Sequence, residues 1–217
     1  MSLPVLKRPG RVPVFYTQRV DGRPFVNCLP YSVCTVLRWI GYDVPPDYGM
    51  TIRQATGIPV APHVGTSYSA MRKALAKLLP TAPVSTGWIE GSQLLAQLAR
   101  PGRRNNKRIV ASVPARMQRL PEFLRRQVGV NWHGLHALCL GGYRCCNGPS
   151  TDEGERHAGH VGVDEVFVMD PMGRPWAGYT GVWAPWSQVE LALGRNASGQ
   201  IRSLWGVRKT GVPGVEG

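Results

Sequence analysis

Five cysteines and five histidines supply the nucleophiles, bases and metal ligands this chain could use near neutral pH. Cys28 opens the segment Asn27-Cys28-Leu29-Pro30-Tyr31-Ser32, just at the start of a run with helical periodicity. Unpaired backbone N–H groups and the helix dipole favour a thiolate at such a start, and the thiolate is the working form of a nucleophilic cysteine. Cys34 lies inside the same run, has no such help, and reads as a packing residue. A thiolate needs a proton acceptor. His133 and His136 stand where a loop enters the strand-like run His136 to Tyr143. His136, at the strand's start, is the expected base, with His133 as the alternative. The second ring nitrogen of such a base needs an orienting partner. Asp170 ends the apolar run Val166-Phe167-Val168-Met169 and precedes Pro171 and Gly173, which suits that role. Gln18 lies ten residues before Cys28, and its amide together with the Cys28 backbone N–H could hold an oxyanion. Each residue also has a plain meaning. A lone cysteine is most often a small buried side chain, Asp-Pro favours turns, and a strand glutamine can simply face water.

A second cluster lies in the polar stretch Arg144 to Asp164. Cys145, Cys146, His157 and His160 together make a complete tetrahedral zinc set. Adjacent cysteines are an unusual ligand pair, and histidines occur in polar loops by chance, so the expectation is a loop without metal. The run from Arg100 to Arg108 is strongly basic. It lacks the aromatic-basic alternation of single-strand binders, and reads as a solvated loop rather than a nucleic-acid site.

These groups must be positioned by elements that the pattern outlines. Val12 to Gln18 reads as a first strand. Leu29 to Ile40 reads as a helix, with Leu29, Val33, Leu37 and Ile40 on one face and Pro30 in the tolerant first turn. A proline-marked loop follows at Pro45 and Pro46. Thr66 or Ser67 caps a second helix carrying Ala70, Met71, Ala74, Leu75 and Leu78, and Ser92 starts a third with Leu94, Leu95 and Leu98. Ile109 to Val113, Leu135 to Tyr143, Glu165 to Asp170 and Ile201 to Val207 read as strands. Ser187 followed by Glu190 has the form of a capping box. Helices early and strands late predict an α+β fold, with N-terminal helices packed on an antiparallel sheet. The organisation expected is a basic arm over residues 1–11, one domain over 12–210 with a surface insertion at 144–164, and a tail over 211–217. Trp183 and Trp186, with Trp176, are expected in the core or at a contact surface.

Taken in order, Tyr16-Thr17-Gln18, Cys28-x-Pro30-x-Ser32 opening a helix, His136-Ala137 before an apolar strand ending Gly142-Tyr143, and Asp170-Pro171 resemble the papain-like cysteine peptidases. The branch they resemble is the bacteriocin-leader-processing type with its bacterial and phage relatives, over about residues 12 to 193. Gly65-Thr66-Ser67 before a helix is similar to a family segment as well. The resemblance implies a papain-like fold, Cys28, His136 and Asp170 as a catalytic triad, Gln18 as the oxyanion residue, and no cofactor. The sequence departs from the family at Leu29, where glycine is usual, and in the long interval from His136 to Asp170, whose excess the stretch Arg144 to Asp164 supplies. It carries no evident transporter or second binding domain, so an exporter role is not expected.

With 217 residues, 43% of them hydrophobic, the chain suits one globular domain. Its apolar runs are too short to span a bilayer, and Lys7, Arg8 and Arg11 break any signal core. A soluble protein of a phage virion or a host cytoplasm is therefore expected. A net charge of +13 favours anionic partners such as cell-envelope polymers. The odd cysteine count does not fit a disulfide framework. The expectation is a cysteine peptidase acting on peptides of peptidoglycan or on a virion or host protein. The alternative is a catalytically silent papain-like module of a virion, such as a tail component contacting other virion proteins.

Overall fold

The computed structural model describes residues 27–40, 42–60, 64–82, 84–99, 109–128, 135–145, 164–173 and 181–207. The expected arm and first strand, Gln18, the basic run 100–108, His133, Trp176, the C-terminal tail and residues 146–163 lie outside the described residues.

Among the described residues, six α-helices and six strands follow in the order α1 (Cys28–Trp39), α2 (Tyr48–Ala55), α3 (Tyr68–Leu78), β1 (Val84–Ile89), α4 (Gly91–Ala99), β2 (Ile109–Arg116), α5 (Glu122–Val128), β3 (Leu135–Cys145), β4 (Asp164–Met169), β5 (Val182–Pro185), α6 (Trp186–Ala192) and β6 (Ile201–Val207). The strands form one sheet in the order β1-β6-β2-β3-β4-β5. Every neighbouring pair is antiparallel. This is the α+β arrangement the sequence predicts.

The helices cover both faces of the sheet. Strand side chains alternate between faces. Ala137 and Cys139 of β3 join α1, α2 and α3 in one apolar cluster, with Met169 and Leu204. Leu138 and Leu140 join the other cluster, where Leu94 of α4 and Trp186 and Val189 of α6 pack over Ala111, Val113, Val166 and Val168. The third helix read from the sequence therefore crosses to the face opposite the first two. It follows β1, a strand that the sequence pattern does not reveal. β1 is paired on one side by β6, and its residues lack a clean buried-exposed alternation.

α1 is the innermost helix. All residues from Leu29 to Leu37 are buried, with the sheet on one side and α2 on the other. Its end is tied by an Arg38–Asp43 ion pair of 2.8 Å. Cys28, Ser32, Val36 and Ile40 share a face by their spacing of four. At the far end of that face, a Cβ placed on Gly206 of β6 would lie 2.6 Å from Ile40 Cγ2 and 2.9 Å from Val36 Cγ1. Only glycine lets the helix come this close to the strand.

Two local expectations are corrected and one helix is added. The added helix, α2, follows the proline-marked loop of Pro45 and Pro46, which is present as expected. It is held by Ile52 and by Gly49, whose backbone lies against the Tyr31 ring, and it buries the charged Arg53. These residues do not advertise an amphipathic helix. Ser187 and Glu190 form no capping box: α6 begins at Trp186, after Pro185, without a side-chain cap, and Glu190 instead pairs with Arg195 at 2.6 Å. The β3–β4 ladder runs out to Cys145 opposite Asp164, so both ends of the expected insertion belong to the sheet. Ser67, by contrast, caps α3 as expected, accepting from the Ala70 N–H at 3.2 Å.

Candidate active site

Cys28 is the first residue of α1, with Asn27 at the N-cap position and no side-chain cap bond there. Its N–H is one of the helix's unpaired donors. The thiol is half-buried, while Cys34 and Cys139 are buried outright.

His136 sits near the start of β3, opposite Ala115 of β2. On the other flank, β3 and β4 pair only as far as Cys139 opposite Met169. Beyond that rung β4 ends and its chain turns, so the first residues of β3 lose a neighbour. Asp170 is the first residue past β4 and lies in this gap. Its Oδ1 meets His136 Nε2 at 2.6 Å and accepts the Met172 N–H at 2.8 Å. The second bond makes an Asx-type turn, closed by Gly173 N–H donating to the Asp170 carbonyl at 2.8 Å. The strand-ending turn and the carboxylate that meets His136 are thus the same feature, not rival readings of Asp-Pro. Both side chains are buried, 3% and 6% exposed, so their attraction is little screened by water.

Asp170 occupies Nε2, which leaves Nδ1 of His136 for Cys28. Burial alone would raise the Cys28 thiol. Hydrogen bonding to His136, the charge of His136 and the Ala137 backbone N–H together outweigh it and hold the thiol below its ordinary value. Burial alone would lower His136. The Asp170 carboxylate, by charge and hydrogen bond, and the Cys28 sulfur reverse this and raise the imidazole to about 10. The two shifts together favour a thiolate–imidazolium pair. Cys34 and Cys139 behave oppositely, since burial pushes both thiols up.

The structure therefore brings together Cys28, His136 and Asp170. Gln18 and the alternative base His133 lie outside the described residues. Of the zinc set, Cys145 ends β3, and Cys146, His157 and His160 are outside the described residues. Among the described residues no group of three His, Cys, Asp or Glu side chains could hold a metal ion. Sequence reasoning overlooked the Ala137 N–H beside the sulfur and the Met172 N–H on Asp170. The second has a signal in hindsight, because Asp-Pro-x-Gly is a turn in which aspartate accepts from the backbone two residues on.

Arg53 is the largest fully buried side chain near this end of the molecule. It stands three and four residues after Met50 and Gly49, on the α2 face that meets the first turn of α1. Asn27 Nδ2 lies 3.1 Å from Met50 Sδ there. Its guanidinium donates to the Thr66 hydroxyl, to the Val64 carbonyl at 2.6 Å and to the Pro59 carbonyl at 2.8 Å. One buried cation thus holds the segment that leads into α3.

No protein-family model matches the sequence, and no curated protein does. Among solved structures, the chain is similar to a Bacillus anthracis protein provisionally named a C39-like peptidase, with a TM-score of 0.52 and 16% identity over 91% of this chain and 96% of that one. At that identity the likeness speaks for the fold, which is papain-like. No helix among the described residues is long and apolar enough to cross a membrane.

Proposed function

We propose that the chain is a cysteine peptidase in which Cys28 is the nucleophile, His136 the general base and acid, and Asp170 the anion that orients and charges the imidazole. The observation that carries this reading is the buried His136 Nε2 to Asp170 Oδ1 contact of 2.6 Å, with the Cys28 thiol held low by the same ring. The solved structure of similar fold, provisionally named a C39-like peptidase, supports the reaction class.

In the proposed cycle the Cys28 thiolate attacks the scissile carbonyl carbon and forms a C–S bond. The negative charge that develops on the carbonyl oxygen meets the Cys28 backbone N–H at the start of α1, with the Gln18 amide as second donor. His136, already protonated, gives its proton to the departing amine as the C–N bond breaks. The neutral imidazole then takes a proton from water. The resulting hydroxide equivalent cleaves the thioester, and the thiolate and imidazolium are restored. This chemistry calls on no cofactor.

For the substrate we infer a peptide presented on an anionic surface, as peptidoglycan peptides or a virion or host protein would be. The net charge of +13 supports it. A phage-associated role, and kinship with the leader-processing branch, rest on the sequence resemblance alone. The test sets parent protein beside Cys28→Ala on purified peptidoglycan and on virion lysate. A product made by the parent and reduced at least about a thousandfold in the variant is expected, because the covalent route closes. Equal products from the two would overturn the assignment. No product from a folded parent on either material would favour a silent structural module.

A further inference from the structure

His136 and Asp170 are set by the sheet, but Cys28 arrives on a helix, and apolar helix–sheet contacts can slide. One buried polar contact cannot. Ser32 stands four residues after Cys28, on the same face of α1, directly beneath the nucleophile. Its Oγ donates to Ser112 Oγ of β2 at 2.9 Å, and both residues are 0% exposed. Ser112 is the cross-strand partner of Cys139 on β3, three residues after His136. The Cys139 thiol, pushed up by burial, is in turn met by the Ser32 hydroxyl. One serine of the nucleophile helix therefore engages β2 and β3 side by side.

The rest of the stripe extends this geometry. Val36 and Ile40 press on Gly206 of β6, the next strand over. The helix thus crosses from β3 at Cys28, over β2 at Ser32, to β6 at Val36 and Ile40. A step of four residues rises about 6 Å, and strands lie about 4.8 Å apart, so one turn of helix spans one strand of sheet. Moving the helix along its own axis would break the Ser32–Ser112 bond.

Stability does not require such a pair. Replacing both partners of a buried hydrogen bond by small apolar groups can be nearly neutral, whereas removing one leaves an unsatisfied group. A directional bond there specifies position. We propose that Ser32 and Ser112 are positioning residues, whose buried bond fixes the Cys28 sulfur at the His136 ring. The proposal rests on the peptidase reading and adds to it what sets the nucleophile's place.

The experiment compares the parent with Ser32→Ala, Ser112→Ala and the double variant. It measures urea unfolding, the pH dependence of Cys28 alkylation by iodoacetamide, and kcat and KM on whichever substrate the parent cleaves. The double variant should unfold near the parent's urea midpoint. Its Cys28 alkylation profile should move to higher pH by about one unit. kcat should drop about tenfold with KM little changed, as for a loss felt in the transition state. A double variant with the parent's alkylation profile and kcat would make the pair mere packing and end the proposal. A double variant that cannot fold would end it too, since the pair would then be a structural necessity. If Cys28 of the parent itself alkylates like an ordinary thiol, the peptidase reading falls, and this inference with it.

Discussion

Among the described thiols, Cys28 should be alkylated first by dilute iodoacetamide at neutral pH, because it is the half-buried one at a helix start, while burial raises Cys34 and Cys139. Peptide mapping that finds Cys28 slower than those two would contradict the assigned role. The pH profile of peptide cleavage follows from the signs of the two shifts. The active pair needs Cys28 ionised, so activity rises as pH climbs through a thiol value below the ordinary one. It also needs His136 protonated, so activity falls as pH passes about 10. These limbs belong to the coupled pair rather than to either residue. Asp170→Asn removes the charge that lifts the imidazole, so the alkaline limb should move to lower pH and kcat should fall. An unmoved limb would mean that Asp170 does not act on His136. The three residues were legible in the sequence because each stands at the boundary of an element, where a polar side chain interrupts an apolar pattern. Ser32 and Ser112 were not legible as a pair, since a serine within a buried helix or strand gives no sign of what it faces.

Elements with a strong period were legible to within a few residues. α1, α3, β3, β4 and β6 all carry runs of apolar residues bounded by a cap, a glycine or a proline. Where packing rather than period makes the element, the pattern failed. α2 forms because Gly49 lets a backbone lie against Tyr31 and because Arg53 finds three oxygens, and neither fact is written in local hydropathy. β5, only four residues long, exists by pairing with β4. The tightest element contact gives a further prediction. Gly206→Ala places a methyl where Ile40 and Val36 already stand, so α1 must lift from β6. The expected loss is about 1–3 kcal/mol of stability, as for overpacking in a core, read as a lower urea midpoint. Activity should fall beyond that loss of folded protein, because the same lift moves Cys28. A variant that is destabilised but keeps the parent's kcat would show that the two ends of α1 move independently.

At the scale of the whole molecule, charge and connectivity are separate matters. The +13 charge should make capture of anionic cell-wall polymer depend on salt. Screening shortens from about 10 Å at 0.1 M to about 3 Å at 1 M, so retention on such polymer should be lost over that range. Cleavage of a short uncharged peptide should change little. Retention that persists in 1 M salt would point to contacts other than charge. Connectivity concerns the long interval between His136 and Asp170, which in the sequence looks like a departure from the family pattern. In the fold the two residues meet at one end of the β3–β4 ladder, and residues 146–163 join it at the other, beyond Cys145 and Asp164. Six residue steps of β3 lead from Cys139 to Cys145, roughly 20 Å of strand at about 3.3 Å each. Whatever the chain does between 146 and 163, the dyad is registered by the rungs, not by the length of the connection. That makes the hairpin a natural splice point, where a reporter domain or an affinity tag could be let in with the chemistry left untouched.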